Sequence, residues 1–154
     1  MSTTAVDPVA ELESFDEVWL GGAVSGVVAG GVMAVVLMVS SPAVIVEAIP
    51  GLYGLSGPVA GWLVHLTHGA FFGAMFAALS LGAISRRQLL GIGVGLGLIL
   101  WFIGAGTIMP IWLQSIGFEG AARIGVPNLD AITLLAHVVY GGVIGLVFPF
   151  LAEL

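Results

Sequence analysis

Aspartate, glutamate, lysine and arginine lie in the first stretch of the chain, in the intervals between four apolar runs, Val18–Ser40, Val59–Gly82, Leu89–Leu113 and Ala131–Leu151, and just after the last of them. Aspartate, glutamate, lysine and arginine are absent from all four. Each run reaches the ~20 residues needed to cross a bilayer core. Backbone groups in lipid must find their partners within the segment, which predicts helices rather than strands. The pattern therefore predicts an all-α membrane protein, a bundle of four transmembrane helices spanning 18–154. The stretch Met1–Glu17 carries Asp7, Glu11, Glu13, Asp16 and Glu17 and has no cationic start or short apolar core. It reads as an acidic, mobile cytoplasmic tail with at most one helical turn near Ala10–Phe15, and not as a secretory signal.

Composition agrees with this pattern. The chain has 154 residues, of which 59% are hydrophobic and 8% charged. A soluble domain carries roughly 25% charged residues, so too little charge is present to cover a water-facing surface. The net charge of −6 belongs mostly to the tail. No basic patch exists to neutralise phosphates, which argues against nucleic-acid partners. The absence of cysteine excludes disulfides and thiol catalysis, and the absence of lysine excludes a Schiff base. No phosphate loop, nucleophile elbow or kinase motif supports an enzyme. Gly91-Ile-Gly-Val-Gly-Leu-Gly lies inside an apolar run and reads as helix packing.

Orientation follows from the arginines. Arg86 and Arg87 occupy the tight connection between the second and third runs, which the positive-inside rule places in the cytoplasm together with both termini. Arg123 in the second long loop is a single charge against two adjacent ones. Trp19, Trp62 and Trp112 fall near run ends, where interfacial rings are favoured. Trp101 falls mid-run and must face protein, lipid tails or a cofactor.

The two halves, about 18–82 and 89–151, resemble one another. At one constant shift His65 falls on His137, Gly69 on Gly141, Gly73 on Gly145, Phe76 on Phe148 and Glu47 on Glu119; with a small gap, Pro42 falls on Pro110. Each half holds two spans, so both enter from the same side, as parallel repeats about an axis along the membrane normal. Glycines at steps of four, Gly22, Gly26 and Gly30, then Gly69 and Gly73, then Gly141 and Gly145, mark faces where helices approach closely. Gly91, Gly93, Gly95 and Gly97 mark the third helix. These grooves suit either the bundle itself or a homo-oligomer.

The ionisable groups inside the runs are His65, His68 and His137, with Tyr140 beside them. Helical spacing puts His65, His68, Gly69, Phe72, Gly73 and Phe76 on one face, and His137, Tyr140, Gly141, Ile144, Gly145 and Phe148 on another. His65 lies roughly 10 Å below the start of its helix. Ionisable side chains at such depth face the interior and mark function. The plainer alternative is a neutral histidine bonded to a backbone carbonyl, Thr67 or Thr133. Three functional readings follow. A proton- or ion-linked transporter, channel or sensor would use the histidines, with Glu47 and Glu119 collecting cations at its mouth. A bis-histidine haem b protein would use His65 and His137 as axial ligands. A metal site would combine His65, His68 and Glu47. A non-catalytic subunit of a larger membrane complex is a further possibility.

The two long loops, Pro42–Gly57 and Pro110–Asn128, are apolar with few charges and predict short interfacial helices that cap the bundle. The acidic start, the Gly-rich first run and the Gly61-Trp-Leu-Val-His-Leu-Thr-His-Gly stretch, with its echo at His137, resemble a group of short, uncharacterised four-helix haloarchaeal membrane proteins. The resemblance covers nearly the whole chain and implies the four-helix fold but no activity. Some members carry a histidine-kinase label, and this sequence has none of the catalytic motifs of a kinase.

Overall fold

The computed structural model describes residues 8–83, 85–119, 121 and 124–152, with backbone alone described over 8–15. Five helical elements follow one another: α1 (Pro8–Ser40), a short α2 wound as a π-helix over Val44–Ala48 and as an α-helix over Ile49–Gly51, α3 (Pro58–Ser80), α4 (Arg86–Ser115) and α5 (Ala131–Leu151). No strand occurs among the described residues. Four of these helices are long and apolar enough to cross a membrane. Their outward faces agree: Val35 and Val39 of α1, Leu63 and Phe71 of α3, Ile99 and Phe102 of α4, and Leu146 and Phe150 of α5 are all exposed. In water such a surface would drive aggregation. In lipid it is the solvated surface, and the chain is a multi-pass membrane protein.

Helix ends follow local chemistry, with two departures from expectation. The acidic stretch is not left as a tail as far as Glu17, because α1 already begins at Pro8. Proline suits a first helical turn, and the acids that follow favour a helix N-terminus. Residues 1–7, with Asp7, lie outside the described residues, as does Arg123. The third span is also longer than its apolar run, since α4 continues to Ser115 through a π-helical stretch, Leu100–Ile108. The second long loop therefore contributes a continuation of α4 where a separate interfacial helix was expected. This continuation also accounts for Trp101. Its indole N–H donates to the carbonyl of Asp130, at the very start of α5, at 3.3 Å. Trp101 thus lies near the long-loop end of the bundle and not at its midplane. Ser85 and Asp130 cap α4 and α5 by accepting from the backbone N–H of Gln88 and Thr133. Gly57 enters α3 with φ of 89°, a conformation that glycine alone adopts freely.

Two prolines shape the long loops in the same way. A proline inside a helix deprives the carbonyl four residues earlier of its donor. Pro50 does this to Val46, and the N–H of Gly57, just before α3, takes the vacant carbonyl at 3.0 Å. Pro110 does it to Gly106, and the N–H of Asn128, just before α5, takes that one at 2.7 Å. Each proline lies just past or within two residues of a π-helical stretch. Pro50 and Pro110 thus stand in the same local setting. The two loops also touch each other. The Trp112 N–H donates to the Leu52 carbonyl at 3.0 Å, and the ring of Phe118 lies over Gly51.

Glycine contacts build the bundle. A Cβ on Gly26 would run into the carbonyl of Gly69, and one on Gly73 into that of Gly22. A Cβ on Gly93 would meet the carbonyl of Gly141, and one on Gly145 would lie 2.7 Å from that of Leu89. Hence α1 packs on α3, and α4 on α5, at backbone distance. Gly91 and Gly95 differ from the expectation for the third helix, because nothing lies within 4 Å of either. Only Gly93 and Gly97 of that set pack. Gly21 and Gly61, which the spacing rule passes over, do: Gly21 against Leu151 and Ala152, Gly61 against the Ile45 carbonyl.

The ring of helices closes unevenly. α1 also packs extensively on α5, whereas α3 touches α4 only sparsely. One side of the ring is left as a slot. At the Arg86 end the interior is filled by Phe76 and Phe148, fully buried and edge-to-face with centroids 5.2 Å apart. The Arg86 guanidinium lies 4.8 Å from the centre of the Phe150 ring, tying the start of α4 to the end of α5.

Candidate functional site

Behind the slot lies a cavity of about 570 Å³. It is walled by α1, α2, α3, the π-helical part of α4 and α5, and roofed by Tyr53 and Trp112 from the two long loops. His65, His68, His137 and Tyr140 all line it. The structure thus brings together all four intramembrane polar residues singled out by the sequence, and the loops cap them. Most of the remaining wall is apolar, with Met33, Leu37, Phe72, Leu100 and Ile108 as examples. A cleft of ~300–1,000 Å³ with an apolar wall and a few polar groups is the usual form of a small-molecule site.

Each polar side chain has a defined partner. His65 is buried, and its Nε2 lies 3.1 Å from the carbonyl oxygen of Gly30 on α1. His137 Nδ1 lies 2.7 Å from the carbonyl of Thr133, one turn earlier on its own helix. A carbonyl can only accept, so the proton sits on Nε2 of His65 and on Nδ1 of His137. In their neutral forms the two rings are opposite tautomers, and each retains one bare nitrogen: Nδ1 in His65 and Nε2 in His137. The Tyr140 hydroxyl crosses from α5 to donate to the Gly69 carbonyl on α3 at 3.1 Å. His68 Nε2 and the Tyr53 hydroxyl are 2.7 Å apart at the roof. Backbone satisfaction of His65 and His137 is what the plainer sequence reading expected, but it uses only one edge of each ring. Thr67, the other partner considered there, bonds Leu63 instead and faces outward.

Three expectations are not met. Glu47 and Glu119 are exposed and neither lines the cavity, so its wall takes no carboxylate from them. Among the described residues no three metal-ligating side chains converge, so His65, His68 and Glu47 do not form a metal site. Haem fits poorly as well. The ring edge of His65 that would ligate iron is bonded to Gly30, and glycine contacts hold α1 against α3 beside it. Tyr53 and the open Gly104 in the π-helical stretch were missed as site residues. Tyr53 had a signal, as the one hydroxyl-bearing aromatic of its loop, whereas Gly104 had none.

No family model, no curated protein and no solved structure matches the chain. The geometry of the cavity is therefore what bears on function.

Proposed function

We propose that the protein binds a small, membrane-soluble molecule in this cavity, as a transporter or sensor whose polar contacts are the intramembrane histidines. The observation that carries the reading is the single chamber in which three histidines from two helices meet an apolar wall and a two-loop roof. The slot between α3 and α4 supports entry sideways from lipid. Passage of hydrated ions gains no support from such a wall, nor from the Phe76–Phe148 pair beneath it. A proton is the one ion these residues are equipped to handle, because His65 and His137 each keep a bare nitrogen.

Gly104 offers the direct test. It lines the chamber, and nothing lies within 4 Å of the Cβ it lacks. Gly104→Trp should fill the chamber without disturbing a helix contact. A lipophilic fluorescent probe, titrated against the protein in nanodiscs, should bind the native chain and lose at least tenfold in affinity to this variant. Equal binding by a folded Gly104→Trp protein would remove the chamber as the site.

Two further readings belong to the same proposal. The halves are parallel repeats, supported by the matched glycine contacts of α1–α3 and α4–α5 and by the matched carbonyl clips at Val46 and Gly106. The Arg86 end is cytoplasmic and the long loops are external, supported by Arg86 and Arg87. A single cysteine at Ser85 should resist a membrane-impermeant reagent added to intact cells, and one at Gly117 should react. The reverse pattern would invert the topology.

A further inference from the structure

The hydrogen-bonding character of the chamber wall deepens this reading, on which it rests. Five donors in the wall are already engaged. The Trp112 N–H donates to Leu52, the Thr133 hydroxyl to Asp130, the Tyr140 hydroxyl to Gly69, His65 Nε2–H to Gly30 and His137 Nδ1–H to Thr133. Every one of these acceptors is a backbone carbonyl. Carbonyls cannot reverse roles, so the five donors cannot be turned toward a ligand without leaving a carbonyl partner behind. What these residues have left to offer is acceptors: the bare Nδ1 of His65, the bare Nε2 of His137, and the lone pairs of the Thr133 and Tyr140 oxygens. Nε2 is at the far edge of an imidazole whose Nδ1 is tied back to its own helix, so His137 carries its bare nitrogen at the tip of the ring. Asn128 also lines the chamber, and its amide can both donate and accept. The pair formed by Tyr53 and His68 at the roof holds two donors and uses one of them between its members, so one O–H or N–H stays available there in either direction.

We infer that the chamber prefers a lipid-soluble hydrogen-bond donor, an apolar molecule carrying a hydroxyl or amine N–H that can reach a bare histidine nitrogen, over the ether of the same shape. A bare nitrogen in an apolar wall gains a partner from an O–H and gains nothing from an ether oxygen. An ether oxygen placed there would also set lone pair against lone pair. Sites that hydrogen-bond a hydroxyl reject the analogue lacking it far more strongly than apolar pockets distinguish a methylene.

The test uses a matched pair of probes, 1-naphthol and 1-methoxynaphthalene, titrated calorimetrically into the full chain in nanodiscs, with partition into protein-free nanodiscs subtracted. The alcohol should bind at least tenfold more tightly than the ether. His137→Phe keeps a ring of similar size and should shrink that ratio several-fold. Independently of any variant, ¹⁵N spectra of histidine-labelled protein should show His65 protonated on Nε2 and His137 on Nδ1, with a bare-nitrogen resonance shifting when the alcohol is added. Equal affinity for both probes, with both lost in Gly104→Trp, would overturn the donor preference and leave the binding chamber standing. Binding of neither probe would overturn both. Reversed tautomers in the spectra would overturn the donor preference alone.

Discussion

Valine in place of Gly26 or Gly141 is expected to prevent a stable bundle from forming. Either side chain would enter space held by the backbone of the neighbouring helix, at Gly69 for the first and at Gly93 and Val94 for the second. A backbone carbonyl cannot swing aside as a side chain can, so α1 would have to lift off α3, or α4 off α5. Overpacking in a well-packed interior costs typically 1–3 kcal/mol. With backbone as the obstacle, about 3 kcal/mol or more is expected, against a total stability of ~5–15 kcal/mol for a typical folded domain. Lipid offers no hydrophobic drive to pull the helices back together, so lost van der Waals contact is not replaced. Gly31 and Gly142 are the controls. Nothing lies within 4 Å of either, and alanine there should change stability by less than about 0.5 kcal/mol. Unfolding in mixed detergent, followed by far-UV circular dichroism, separates the two classes. A Gly26→Val protein as stable as Gly31→Ala would mean that α1 does not lie on α3 at this height.

Loss of the Phe148 ring should have the second-largest effect, and of a different kind. Phe148 and Phe76 are both fully buried, and their rings meet at 86°. Phe→Ala in a packed core costs about 3–5 kcal/mol. Here the lost ring also separates the chamber from the Arg86 end. Phe72 lines the chamber and Phe76 lies one turn below it. Phe148→Ala should therefore both lower stability by about 3 kcal/mol and make vesicles containing the protein permeable to a small dye that the native chain retains. Phe148→Leu restores most of the volume and should restore retention. Destabilisation with retention intact would show that the pair is packing alone and not a seal.

The four spans were legible in the sequence because lipid imposes a simple constraint, and length and apolarity alone satisfy it. The last span begins and ends where its apolar run does. The first and third do not, because helix geometry there continues into polar sequence that apolarity cannot track: the acids after Pro8, and Arg86 to Gln88 and Gln114 to Ser115 at the two ends of α4. The histidine cluster was legible because ionisable residues are rare at depth and shared a helical face with glycines. What stayed hidden depends on which helices close the ring. Equal spacing of Gly91, Gly93, Gly95 and Gly97 gives no sign that only the second and fourth are packed. Nor does sequence reveal that Glu47 turns away from the chamber while Ala48, its neighbour, lines it.

The slot between α3 and α4 has a consequence for how the two halves can change over time. In the proposed repeat, Phe72 corresponds to Ile144 and His68 to Tyr140. Ile144 is fully buried and Tyr140 braces α5 against α3, while Phe72 and His68 face the chamber. Positions that this repeat would pair thus live under different constraints, one member of each pair held by packing and the other facing the chamber. Substitutions that retune what the protein binds should gather on α3 and the facing part of α4, and their counterparts across the axis should stay fixed.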